Sequence, residues 1–532
     1  MQKSDIKRKY EVSRKSTMRK NKSTKIFRKL HKWPGIVIAL FAILFATSGI
    51  IMNHRSLFSK TDISRKLLPP NYSYKNWNLA AVRGSLPINN DSVLIYGNIG
   101  IWKAPSDLQN FSDFNHGFTK GIDNRKIYSL VQQNNILYAG THFGLYERHI
   151  SSDKWIRINL PVKQERIADV SLKDDTLLVL TRHYLLKQTE SGTFKTIQLP
   201  EPLNYERKTG LFNTLWELHS GELFGLPGKL VVDLLGLVTI LISITGLLHF
   251  FFPRMIKRLK KKKKQVKPWV KATKTNINWH NAIGYIFAIF LIINTLAGIH
   301  LRPPLLIPIA NKKVGIIPGT HLDNPNPWFD KLRRIIWDER AGYYIISTSE
   351  GFYKTDENFH LPLEPIIPQP PVSVMGLNVF KPVGDQKYLA GSFNGIFLWD
   401  LQRKSIYDFF SQKPYIPPQG MVSPVGSDMA AGFVEAGEKA WWFDYNRGAV
   451  SLAGTSFPAM PPEIIEKSPM SLWNVALEIH TGRIFEHLTG IFYILYVPLA
   501  GLCLIMVLIS GFFIWWKVYR KKKGKPKLKT RS

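Results

Sequence analysis

Four long apolar segments punctuate this chain, and they come as a repeated pair. In the first segment His31 is followed by Gly35 and then Gly49, and His280, Gly284 and Gly298 in the third segment have identical spacing. Glu217-Leu218-His219-Ser220-Gly221 precedes the second segment, which carries Gly236 and Gly246. Glu478-Ile479-His480-Thr481-Gly482 precedes the fourth, which carries Gly501 and Gly511. The order is A, B, A′, B′. His219 and Gly236 are 17 residues apart and His480 and Gly501 are 21 apart, a difference of one turn at about 3.6 residues per turn. An extra turn keeps the histidine near the same face.

About 20 apolar residues cross a bilayer as a helix, and the spans read as 34–52, 230–252, 277–301 and 488–516. Asp233 is the one acidic residue within them. The formal charge of +34 is concentrated in three places: residues 1–32 hold 13 Lys and Arg, residues 253–275 hold 11 and residues 517–532 hold 9. The remainder has 39 basic against 36 acidic residues, so a nucleic-acid-binding surface is not the reading. Basic clusters at both ends and between the second and third spans are the positive-inside signature, with both termini and the Lys260 to Lys264 loop cytoplasmic. Trp33, Trp279, Trp515 and Trp516 fall at that interface. The first span has no small-residue cleavage site and reads as a retained anchor. The single Cys503 excludes a disulfide, an iron-sulfur cluster and a cysteine zinc motif.

The expected fold class is a polytopic α-helical membrane protein of the bacterial inner membrane: a four-helix transmembrane bundle built from a repeated helix pair, with two large periplasmic all-β segments. A basic cytoplasmic tail (1–32), the first span (33–54) and the first β segment (55–215) come first. A lead-in with the second span (216–252), a basic loop (253–275) and the third span (276–302) follow. The second β segment (303–475), a lead-in with the fourth span (476–516) and a basic tail (517–532) complete the chain. Within the β segments one phrase recurs: an apolar strand, a small-residue turn and a second apolar strand. It is clearest at 136–146 and 388–399 and weaker at 92–102, 176–186, 343–353 and 439–452. Three such units in each segment suggest propeller-like blades, either as one composite propeller of about six blades or as two smaller β domains.

Eight of the 14 histidines lie in or beside the spans. At about 1.5 Å per residue, His31 and His54 are about 34 Å apart and His280 and His300 about 30 Å, so neither pair shares one metal. The histidines sort into an inner level, His31, His249 and His280, and an outer level, His54, His219, His300, His480 and His487. Imidazole is the usual axial ligand of a b-type haem held between helices. Gly35 and Gly284, one turn from their histidines, would let a flat macrocycle approach the backbone. His31, His280, His219 and His480 recur in the repeat and are the candidate iron ligands. His249 is deep enough to replace His31 or His280, and His487, seven residues after His480, rivals it for the outer site. His54 and His300 read as headgroup anchors, and the histidines of the β segments have no ligand spacing.

The His-x3-Gly first span, Leu218 to Gly228 (Leu-His-Ser-Gly-Glu-Leu-Phe-Gly-Leu-Pro-Gly) and Thr245-Gly246 together resemble the PepSY-associated transmembrane helix family. That family includes iron-regulated inner-membrane proteins and di-haem ferric-siderophore reductases. The resemblance covers the spans and their flanks, and carries over to His31, His280, His219 and His480; the β segments depart from it, with propeller-like phrases in place of a PepSY domain. It implies two b-type haems in a membrane oxidoreductase that reduces a periplasmic ferric chelate, such as a siderophore, in iron uptake. No Rossmann glycine motif is present, so a quinol or a partner reductase is needed as electron donor. Two other classes compete: a non-catalytic β-propeller receptor or assembly protein anchored in the membrane, and a proton-linked transporter using Asp233.

Overall fold

The computed structural model describes residues 2–163, 166–203, 205–371, 373, 375–417, 426–452 and 454–520, with side chains from residue 24 onward. The basic residues at 521–532 lie outside the described residues. The chain divides into a helical unit (Met1–Arg55, Arg207–Asp323 and Trp473–Ser532) and a sheet unit (Ser56–Glu206 and Asn324–Leu472).

The helical unit contains four stretches long and apolar enough to cross a membrane: Thr24–Asn53, Glu222–Lys261, Lys267–Ile299 and Arg483–Tyr519. They are carried by α1 (Gln2–Asn53), α3 (Gly225–Lys261), α4 (Lys267–Ile299) and α7 (Tyr496–Ile514). Helix is the natural state of an apolar run in lipid, because it satisfies every backbone polar group internally. The hydroxyls obey the same rule: Thr239 and Thr295 donate back to the carbonyls of Leu235 and Leu291, one turn earlier. α1 and α4 each pack against both α3 and α7, so α1 and α4 lie across the bundle from one another. Leu235, Val238, Leu291 and Leu508 are buried between the helices, while Leu40, Leu230, Ile289 and Leu499 face outward.

Short amphipathic helices, α2 (Leu211–Ser220) and α5 (Leu472–His480), lead into the second and fourth spans. Each is followed by a glycine at left-handed φ, Gly221 (82°) and Gly482 (75°), and then by a second, Gly225 (63°) and Gly490 (54°). Only glycine adopts these angles without a steric cost. The second lead-in has four more residues between its two glycines, and they form the one-turn helix α6 (Glu486–Thr489). The extra turn expected from the sequence is therefore a separate step between the hinges, not an extension of the lead-in or the span. The fourth segment also differs from an unbroken helix over 488–516: a 3-10 stretch (Gly490–Leu495) precedes α7 and a π turn (Trp515–Tyr519) follows it.

Among the described residues the sheet unit has six antiparallel sheets of three or four strands, at 84–113, 127–158, 167–197, 332–365, 379–408 and 430–451. Five have four strands and the last has three, with strands adjacent in the order of the chain. The six recurring phrases are the second and third strands of these sheets. Each sheet shares a buried core with the next: Leu94 with Leu130, Leu145 with Leu177, Leu180 with Ile346, Ile345 with Trp399, and Leu389 with Ala430. The sixth returns to the first through Val434 and Phe443 against Val93 and Trp102. Asp62–Ile63 pairs with Met470–Ser471, joining the start of the unit to its end. Buried indoles keep their polar edge satisfied: Trp77, Trp155 and Trp328 donate to the carbonyls of Pro458, Phe114 and Pro200.

Candidate functional site

The four repeated histidines meet in two pairs inside the helical unit. His31 of α1 and His280 of α4 bring their ring centroids to 6.0 Å, and His219 of α2 and His480 of α5 approach to 5.9 Å. All four are partly buried.

Each ring is held in the same way. His31 Nδ1 donates to the Val507 carbonyl at 2.9 Å, His219 Nδ1 to the Asn294 carbonyl at 3.0 Å and His480 Nδ1 to the Phe45 carbonyl at 3.0 Å. His280 Nδ1 bonds the Thr245 hydroxyl at 3.0 Å, with the Ile242 backbone as a further partner. In every case the backbone partner stands four residues before a glycine of the repeat, Gly511, Gly298, Gly49 or Gly246, and the ring lies over that glycine. A Cβ on Gly298 would come within 2.6 Å of His219 Cε1, and one on Gly511 within 2.8 Å of His31 Cε1. On Gly49 and Gly246 the corresponding distances to His480 and His280 would be 3.3 and 3.4 Å. The missing side chain makes the notch that admits the imidazole. Three notches add a hydroxyl from the residue before the glycine: Ser48 Oγ is 3.1 Å from His480 Nδ1, Ser510 Oγ is 3.5 Å from His31 Nδ1, and Thr245 serves His280. In the fourth notch that residue is Ala297, and Asn294 instead donates to the His219 carbonyl at 2.9 Å.

Tying Nδ1 to an acceptor fixes the ring plane and places the proton there, which leaves Nε2 with its lone pair. Nε2 of these four histidines makes no hydrogen bond among the described residues. Each pair thus brings together two imidazoles whose Nε2 atoms are left as donors, a donor set that would suit a haem iron. Beside the outer pair, Tyr496 packs on Phe45 with centroids 5.1 Å apart. Its buried hydroxyl has no hydrogen-bond partner in the structure.

The other candidates make no histidine pair. His249 is exposed on α3 but near enough to the inner pair to interact electrostatically with His31 and His280, and His487 is exposed on α6, its Nδ1 on the Ile484 carbonyl. His300 bonds within its own turn, to Leu296. His54 Nε2 donates to Asp233 at 2.7 Å, and Asn53 donates to the other Asp233 oxygen and to the Ser220 carbonyl, both at 3.1 Å. Asp233 is thus held by the last residue of α1, Asn53, and by His54 just beyond it, and does not cap its own helix. Gly284 has open space around it and Gly35 only touches Val507. The glycines that matter to a ring sit on the neighbouring helix; the recurring Ser/Thr-Gly dipeptides at 48–49, 245–246 and 510–511 were the signal for them.

Outside the spans, the equivalent acids of the two lead-ins have different partners. Glu217 bonds His321 at 3.1 Å, and Glu478 pairs with Arg483 at 2.5 Å. The hydrogen bond from His321 to Glu217 raises the imidazole pKa against the opposing effect of burial, and the Glu217 and Glu222 charges add to the rise.

The sequence model of the PepSY-associated TM region matches residues 5–254, which takes in the first A and B segments and the β segment between them. No curated protein matches the chain. Among solved structures, the extracellular domains of two hybrid two-component systems of B. thetaiotaomicron align at 10% and 11% identity. They cover 69% and 71% of this chain and 32% and 40% of their own, with TM-scores of 0.34 and 0.31. The chain spans about a third of the length of the first of these domains. A computationally designed protein, Ika8, aligns at 8% identity over 71% of this chain and 96% of its own, with a TM-score of 0.29.

Proposed function

We propose, from the match of residues 5–254 to the PepSY-associated TM region, that the chain is a bacterial inner-membrane electron carrier holding two b-type haems. His31 and His280 would hold the inner haem, and His219 and His480 the outer one. The observation that carries this reading is the repeated arrangement of four imidazoles, each anchored through Nδ1 beside a glycine notch and brought together in two pairs with ring centroids 6.0 and 5.9 Å apart. Haem bound there would supply one-electron chemistry. The protein contributes the rest: the backbone carbonyls of Val507, Asn294 and Phe45 and the Thr245 hydroxyl orient the ligands. The apolar layer of Leu235, Val238, Leu291 and Leu508 keeps water and ions from crossing between the helices.

The basic clusters support an orientation with both termini and the 253–275 loop cytoplasmic and the sheet segments periplasmic. Electrons would enter from quinol or a partner reductase and leave to a periplasmic ferric chelate of the siderophore type, reducing Fe(III) to Fe(II). The six sheets, each sharing a core with the next and the last with the first, support one six-bladed propeller formed from both segments. The His54–Asp233 contact gives Asp233 a fixed partner within the bundle. A reduced-minus-oxidised visible spectrum and a pyridine haemochrome assay of protein made with ample haem should report low-spin b-type haem. Protein without haem would overturn the reading and favour a receptor.

A further inference from the structure

The first strands of neighbouring sheets touch one another in the sheet unit, and the residues where they begin are unusually basic. Arg83, Arg166, Arg333 and Arg334 all stand at such starts, with Arg182 from the end of a second strand beside them. Arg83 and Arg166 face the ring of Tyr128, which opens a third first strand, at 5.0 and 5.7 Å. Two acids serve this group. Asp169 takes Arg334 at 2.8 Å while its other oxygen accepts from the Ile335 amide at 3.0 Å, and Asp330 takes Arg182 at 2.7 Å.

Among the described residues these two carboxylates are taken up by Arg334 and Arg182, which leaves the excess of positive charge at Arg83 and Arg166. Arg83 reaches only a neutral acceptor, the Asn378 side-chain oxygen at 2.7 Å, and its buried Nε has no hydrogen-bond partner. Arg166 has no carboxylate within ion-pair distance among the described residues. Burial and the neighbouring guanidiniums push Arg83 and Arg182 below the ordinary arginine range. A guanidinium does not give up its proton in a protein, so that crowding is felt as repulsion, and a bound anion would relieve it. Structural arginines are normally matched by acids; these are gathered without enough of them around an aromatic face.

We infer that this cluster binds a small oxyanion with at least two negative charges, a polycarboxylate or a phosphate, gripped by Arg83 and Arg166 beside Tyr128. Two planar forks on one ring suit an anion that presents oxygens in pairs. The inference draws on the sheet unit alone and is independent of haem. Calorimetric titration of the full chain in detergent, with citrate and with inorganic phosphate at fixed ionic strength, tests it. Saturable binding is expected for at least one of them, stronger for citrate if the natural ligand is a polycarboxylate and for phosphate if it is a phosphate. Arg83→Gln with Arg166→Gln should weaken it by about tenfold or more, Arg83→Lys should weaken it less, and Arg403→Gln, a change at an exposed arginine, should leave it unaltered. Absence of saturable binding to the unmodified chain, equal effects from chloride, or full affinity in the Gln variants would overturn the assignment.

Discussion

The two helix pairs of this bundle share one device and differ in what surrounds it. In both, a span histidine sits in a notch on the other pair's second span, and a lead-in histidine sits in a notch on the other pair's first span. His31 uses Gly511 and His280 uses Gly246; His219 uses Gly298 and His480 uses Gly49. Neither pair is complete alone, which accounts for the doubling. The first pair adds His54 against Asp233 and His321 against Glu217. At the position equivalent to Asp233 the second pair has Pro498, and its lead-in Glu478 has a permanent cation. The shared elements are those the proposed two-haem scaffold would require. Among the unshared ones, the His321–Glu217 contact raises the His321 pKa.

The strongest test of the shared device removes its ligands. His31→Ala and His280→Ala should each lose the same haem, about half of the total, and His219→Ala and His480→Ala the other, because opening one side of a bis-histidine centre lowers haem retention. His54→Ala should keep both. Haem-to-protein ratios and the positions of the remaining bands would check this. If His249→Ala emptied the inner site while His31→Ala did not, the symmetric pairing would be wrong.

A smaller effect distinguishes the notches. Gly298→Ala and Gly511→Ala place a methyl closer than 3 Å to an anchored imidazole, whereas Gly49→Ala and Gly246→Ala place it at 3.3 and 3.4 Å. Overpacking of the first kind costs about 1–3 kcal/mol. Those two variants should lose haem severalfold faster to a competing apo-globin, with the other two near the unmodified rate. Equal behaviour of all four would mean that the glycines serve helix packing and not the rings.

Much of the bundle was readable from residue spacing, because a repeat with identical offsets reports which histidines are equivalent and the basic clusters mark the ends of the spans. The partner of each histidine was not. Spacing along one helix describes that helix's own faces, so Gly35 and Gly284 looked like the important glycines, while the notches are set by the register between different helices. The same holds for His54 with Asp233, 179 positions away. In the sheet unit the strand-turn-strand phrases marked the second and third strands, since burial on both faces gives a continuous apolar run. The arginine cluster left no local trace: its members come one or two at a time from separate strand starts and only the order of the sheets gathers them.

The difference between the lead-ins predicts an asymmetric pH response. His321 has its pKa raised above the ordinary 6.5, first by its hydrogen bond to Glu217, with Glu222 adding to the rise and Lys229 opposing it. Because the folded value lies above the unfolded one, the folded state holds the proton more tightly. That stabilisation is fully present below about pH 6.5 and is lost as pH rises through the raised value. Glu478 bonds Arg483, a permanent cation, so the second lead-in has no histidine in the equivalent contact. Thermal denaturation in detergent should therefore show a modest loss of stability above about pH 6.5, corresponding to at most one proton. His321→Gln and Glu217→Gln should each flatten that loss, while Glu478→Gln should lower stability by a similar amount at every pH. If the slope survived in His321→Gln, the response would belong to another group and the two lead-ins would be electrostatically alike.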